Sequence, residues 1–238
     1  MMYRHEVCRR SFLRFAATAA LCVAGRTAAL SEPNKTGRTV PAAGASSILA
    51  EMYGERPTEP YPVPAIPLEE IDARYRRQAV ADPTGEPPGT VVVDVGRHFL
   101  YLVQVKGQAM RYGVALGRAG FEWSGRGVVQ YKRKWPRWIP SDDMVQREPE
   151  LEKYSLEHGG MEPGPDNPLG ARALYIFKDG EDTLYRIHGS PEWWTIGQHV
   201  SSGCVRMINQ DVIDLFERVP DGTPILVTDL SNDKPDRS

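Results

Sequence analysis

Cys204 stands in the run Val200-Ser201-Ser202-Gly203-Cys204-Val205-Arg206-Met207, and upstream the strand-like Leu184-Tyr185-Arg186-Ile187 leads into His188-Gly189-Ser190. Thiol attack on a carbonyl needs a sulfur nucleophile, a base for its proton and donors for the developing oxyanion. His188, at a strand end, can serve as the base. Gly203 lets the backbone approach a substrate closely, and the amides of Gly203 and Cys204 can donate to the oxyanion. A carbonyl beside His188 would fix its tautomer without any carboxylate. His199, five residues before the thiol, is a rival base, but that spacing puts both groups on one loop. His188, His199 and Cys204 show no recognisable metal-ligand spacing, so no metal site is expected among them.

A lone cysteine is ordinarily an inert small hydrophobe. The polar Ser201 and Ser202, the flanking Gly203 and the preceding His188-Gly189 favour a nucleophile instead. The other two cysteines, Cys8 and Cys22, fall in an N-terminal stretch with the anatomy of an export signal. There Cys8-Arg9-Arg10-Ser11-Phe12-Leu13-Arg14-Phe15 precedes a short run of small and apolar residues over 16–25. The paired arginines resemble a twin-arginine signal, which exports chains already folded. Removing residues 1–29 shifts the net charge from −2 to −6 and leaves Cys204 as the only thiol. The expected location is the periplasm, where a single thiol in an oxidising setting calls for a function.

The elements that must position these groups lie in the rest of the chain. Its 238 residues are 41% hydrophobic and 25% charged, enough for a real core. No apolar run reaches the roughly 18–20 residues of a membrane span, so no transmembrane anchor is expected. Without a basic excess, nucleic acid is not an expected partner. Ten prolines over residues 31–88 make 30–87 read as a Pro-rich linker, largely disordered, with a short helix over 68–78 on the spacing of Leu68, Ile71 and Tyr75. From residue 88 the texture becomes β-branched and aromatic. Strands are predicted over 90–95, 99–105, 108–116, 127–132, 173–177, 183–187 and 225–228, with a hairpin turn at Asp179-Gly180. One helix is expected over 141–153, capped by Ser141 and interrupted at Pro149. A second is expected over 209–218, capped by Asn209, with Val212, Leu215 and Phe216 on one face. The fold class is mainly β, a mixed β-sandwich or barrel with a few short helices over 88–230, followed by a polar tail at 231–238.

The ordered set of His188-Gly189 and Ser201-Ser202-Gly203-Cys204-Val205-Arg206 resembles the signature of the L,D-transpeptidase catalytic domain, the YkuD-type family. The Pro88-Gly89-Thr90-Val91-Val92-Val93 opening looks similar to the family too. So do Arg111-Tyr112-Gly113-Val114, Trp135-Pro136-Arg137-Trp138, Asn167-Pro168-Leu169-Gly170-Ala171-Arg172 and Asn209-Gln210-Asp211. The resemblance covers about 88–228 and does not extend to the Pro-rich segment. Ser202 departs from the pattern, since many members carry His between the Ser and the Gly.

The resemblance implies that Cys204 is the nucleophile, His188 the proton acceptor and donor, and Gly189 the residue whose carbonyl orients the imidazole. Gly203 and Cys204 would supply the oxyanion amides. Arg206, with Ser201, Ser202 and Trp138, would contact substrate, the guanidinium suiting a carboxylate. An internal salt bridge from Arg206 to an acid such as Asp211 is the competing reading. Residues 132–147 are the candidate lid. The implied partners are the donor and acceptor stem peptides of peptidoglycan, joined as a 3–3 cross-link after loss of D-Ala. Water as acceptor would make the protein an L,D-carboxypeptidase or hydrolase. An outer-membrane or other envelope protein is a further acceptor class. A catalytically silent wall-binding module would be expected to have lost His188 or Cys204, and both are present.

Overall fold

The computed structural model describes residues 42–117, 124–200 and 204–231. Its strands are β1 (Gln78–Ala81), β2 (Val91–Asp94), β3 (Phe99–Gln104), β4 (Gln108–Gly113), β5 (Ala115–Gly117), β6 (Gly125–Lys134), β7 (Arg172–Lys178), β8 (Glu181–His188), β9 (His199–Val200), β10 (Val205–Arg206) and β11 (Thr223–Thr228). The α-helices are α1 (Ala42–Tyr53), α2 (Asp142–Arg147) and α3 (Asn209–Arg218). All the strands join one sheet in the order β1-β4-β3-β2-β11-β6-β7-β8-β10-β5-β9. β4 and β5 are separated by Val114 alone yet lie near opposite ends of that order. The sheet therefore curls back on itself, which is the expected mainly β, barrel-like class. Gly197 N–H donates to Val114 C=O at 3.0 Å and helps hold the two ends together.

Strand alternation explains the core. Leu174, Ile176, Ile187, Val205, Ile225 and Val227 face inward and meet Val212, Leu215 and Phe216 of α3 in one buried cluster. The hairpin between β7 and β8 turns at Asp179 and Gly180, both at positive φ (53° and 85°), as the sequence predicts. Ser141 caps α2 by accepting from Met144 N–H at 3.3 Å, and a 3-10 segment takes over at Pro149. The expected Asn209 cap is corrected. Ile208 occupies that position without a side-chain bond, because Asn209 Oδ1 is engaged by Ala171 N–H at 2.9 Å. Among the described residues no helix is long and apolar enough to cross a membrane.

The Pro-rich segment departs most from expectation. Over its described part it lies against the sheet as a strap, with Tyr53, Val63 and Ile71 buried. Tyr53 Oη donates to Asp211 (3.1 Å) and accepts Arg77 N–H (2.6 Å). Gln210 Nε2 donates to the carbonyls of Pro64 (2.8 Å) and Gly54 (3.2 Å). Glu59 accepts twice from Arg172 (2.8 and 2.6 Å) and once from Trp135 (2.8 Å). Proline restricts the unfolded chain, so an extended segment rich in it loses less entropy on docking. The helix expected over 68–78 is replaced by 3-10 turns at Leu68–Glu70 and Ala73–Tyr75 and then by β1. Side chains have taken the backbone groups a helix would use: Asp72 accepts Arg74 N–H, and Arg76 donates to the carbonyls of Leu68 and Ile71.

Candidate active site

β8 and β10 run parallel, with Ile187 opposite Val205 and His188 opposite Arg206. Cys204, one residue before Val205, therefore falls level with Arg186, whose backbone N–H donates toward the thiol. Since Ile187 and Val205 enter the core, His188, Arg186, Cys204 and Arg206 project from the opposite face. The parallel pair thus sets the candidate base His188 and the candidate nucleophile Cys204 on neighbouring strands and one face. Backbone bonds lock the arrangement: Met207 N–H donates to His188 C=O (2.8 Å), and Gly117 N–H to Cys204 C=O (3.1 Å).

His188 is only 3% exposed. Its Nδ1 lies 2.5 Å from the carbonyl of Gly189, the orienting contact expected from the sequence, and the carbonyl of Pro168 also faces the ring. A carbonyl on Nδ1 accepts a proton there and leaves Nε2 as the basic atom. Burial, helped by the nearby Arg206 charge and opposed by the two carbonyls, pushes the His188 pKa down to about 4. Cys204 is half-buried, and burial raises its thiol, opposed by the Arg186 amide and by the charges of Arg186 and Arg206. Burial thus favours the neutral form of both the thiol and the imidazole.

Gly189 needs its missing side chain. A Cβ there would overlap Asn209 Oδ1, which is held by Ala171 N–H. The start of α3 thus braces the carbonyl that orients His188. The loop from β8 to β9 is braced from the other side, where Tyr75 of the strap fills the space a Cβ at Gly197 (φ 83°) would need.

Arg206 is paired with Glu192 and lies 3.3 Å from Thr195 Oγ1, so its acid is Glu192, while Asp211 pairs with Arg77 at 3.7 Å. A substrate carboxylate would have to compete with Glu192 for that guanidinium. Trp138 lies in the excursion between β6 and β7, its backbone bridged to Met161 and its ring 6.3 Å from Tyr154. Asn167 braces this excursion by donating to Pro136 C=O (3.2 Å) and Glu162 C=O (3.0 Å), just before Pro168 reaches His188. His199 sits on β9 with its ring 4.6 Å from His98, and β5 separates its strand from that of the thiol. Ser201, Ser202 and Gly203 lie outside the described residues. Sequence reasoning missed Arg186, Pro168 and the bracing by Asn209. Only Arg186 carried a usable signal, standing two residues before His188 and so on the same strand face.

The L,D-transpeptidase catalytic domain family (YkuD) matches residues 88–227, more than half of the chain. The Escherichia coli K12 protein named Probable L,D-transpeptidase ErfK/SrfK is 34% identical over 142 residues, 58% of this chain and 44% of its own length. Probable L,D-transpeptidase YbiS of the same strain is 36% identical over 127 residues, 49% of this chain and 36% of its own. The chain thus spans less than half the length of these curated relatives. A solved chain from Brucella melitensis, named a probable carnitine operon oxidoreductase, is 48% identical, covers 64% of this chain and 93% of its own, and superposes with a TM-score of 0.47. The chain belongs to the L,D-transpeptidase catalytic-domain family.

Proposed function

We propose that the protein is a peptidoglycan L,D-transpeptidase acting through a Cys204 thioester. The observation that carries this reading is the parallel pairing of β8 and β10, which sets Cys204 and the carbonyl-oriented His188 on neighbouring strand positions of one face within the family domain. Sulfur attacks the carbonyl of the third residue of a tetrapeptide stem while its proton passes to His188. The amides of Gly203 and Cys204 receive the oxyanion. The C–N bond to D-Ala then breaks, the departing amine takes the proton from His188, and the thioester remains. A side-chain amine of a second stem attacks it, gives its proton to His188 and forms the 3–3 amide, and the sulfur leaves and is reprotonated. The same reading places the protein in the periplasm, delivered by the twin-arginine leader in residues 1–29.

The purified chain incubated with disaccharide-tetrapeptide should yield dimers that have lost one D-Ala, read by mass spectrometry, and Cys204→Ala should yield none. Tripeptide monomers without dimers would replace the transferase by a hydrolase. Transfer to an added protein amine in place of the stem would support attachment of an envelope protein. No cysteine-dependent product from a folded sample would overturn the reading and leave the wall-binding alternative.

A further inference from the structure

The sheet face that carries the catalytic pair continues outward as a row of side chains running across the strands. Tyr131 of β6 is opposite Tyr175 of β7, Tyr175 is opposite Arg186 of β8, and Cys204 is level with Arg186. A second row beside it holds Arg133, Ala173, His188 and Arg206. Directly opposed residues share a face. Their alternates Leu174, Ile176, Ile187 and Val205 fill the core, so both rows face away from it.

The first row is built, not incidental. The rings of Tyr131 and Tyr175 stack 4.4 Å apart at 19°, and the Arg186 guanidinium lies 4.4 Å over Tyr175. Phe177 meets Tyr131 edge-on at 5.9 Å, and Arg133 lies 5.5 Å from the Tyr131 ring. Asp182 holds Arg186 through two bonds of 2.7 and 2.8 Å, so that guanidinium is a fixed plane. Arg133, by contrast, is an exposed cation at the far end. Tyr131, Tyr175 and Phe177 are half-buried, and among the described residues none of them belongs to a buried apolar cluster. Tyr175 is stacked between Tyr131 and Arg186, so the rings offer a ligand their half-exposed outer edges.

We infer that this row is a track for the donor peptide, the anionic run of three residues on the acyl side of the scissile bond lying from β8 across β7 toward β6, with the scissile carbonyl at Cys204. The inference rests on the transpeptidase reading and assigns its substrate contacts to residues outside the catalytic motif. Length supports it. The three extended residues on the acyl side of the scissile bond reach roughly 10–11 Å, which spans the two strand steps of roughly 10 Å from Cys204 to Tyr175 and ends against the Tyr131 ring stacked on it. Chemistry supports it as well: the outer edges of the tyrosine rings border aliphatic parts of a peptide, and Arg133 stands where a carboxylate of the stem would arrive.

The test uses the chain carrying Cys204→Ala, which binds donor without turning it over, and free stem tetrapeptide as the titrant in calorimetry. Adding Tyr175→Ala, Tyr131→Ala or Arg133→Gln should weaken binding about tenfold each, a change of about 1.4 kcal/mol. Tyr175→Phe, which keeps the stack, should stay within about twofold of the parent. In the active chain the same three replacements should raise KM for tetrapeptide while leaving alkylation of Cys204 by iodoacetamide at its original rate. Unchanged affinity and KM overturn the track. If the parent chain still releases D-Ala in that case, the transpeptidase reading stands without it. Weakened binding together with altered alkylation also overturns it, because the replacements then act by disturbing β7 and β8. A parent chain that neither releases D-Ala nor binds the peptide as Cys204→Ala overturns the reading and the track together.

Discussion

His188 is the residue whose environment most constrains the chemistry. In the proposed mechanism its imidazole must be neutral to take the thiol proton, and burial holds its pKa near 4, below the usual value of about 6.5. Protonation removes the base, so activity is lost as pH falls through the folded-state value. The acid limb of kcat/KM should therefore fall near pH 4 in a sample shown by circular dichroism to stay folded. A limb centred near 6.5 would mean that the imidazole is solvated and that the carbonyls of Gly189 and Pro168 do not enclose it. The proposed nucleophile and base were legible in the sequence as candidates, because Gly203-Cys204 and His188-Gly189 carry a pattern tied to chemistry. The partner of Arg206 was not legible. Glu192 reaches it through the fold of the β8–β9 loop, and no spacing rule marks that acid over Asp211.

At the scale of elements, the sequence announced most strands and both helices of the catalytic region, since alternation and apolar spacing survive tertiary context. It misread the strap. Proline density speaks to local conformation, whereas docking depends on distant sockets: Gln210 for the carbonyls of Gly54 and Pro64, and Arg172 with Trp135 for Glu59. The Glu59–Arg172 pair should matter energetically, because Arg172 is only 3% exposed. Glu59→Gln leaves a buried guanidinium short of its charge partner, an expected loss of about 3 kcal/mol. That corresponds to a fall in Tm of roughly 6–12 °C, measured by thermal denaturation. A change below 1 °C would show that the strap contributes little to stability.

At the scale of the whole molecule, the described parts of the strap and the family domain share apolar clusters. Tyr53 and Ile71 pack with Ala115, Ile196 and Ile208, and Val63 packs with Trp135 and Ala171. Such a unit suits export after folding, which is what the paired arginines of the leader would serve. Fractionation of cells producing the Arg9→Lys, Arg10→Lys chain should find the protein retained in the cytoplasm, while the parent reaches the periplasm. Equal release of both would remove the twin-arginine route.

The place of β11 sets the order in which this architecture can be completed. It lies between β2 and β6 in the middle of the sheet, yet it is the last described strand to leave the ribosome. Until it arrives, the two partial sheets, which share a core, keep bare inner edges, a state open to mispairing. A message cut short just before codon 223 would therefore release a chain with two unpaired strand edges in the middle of its sheet.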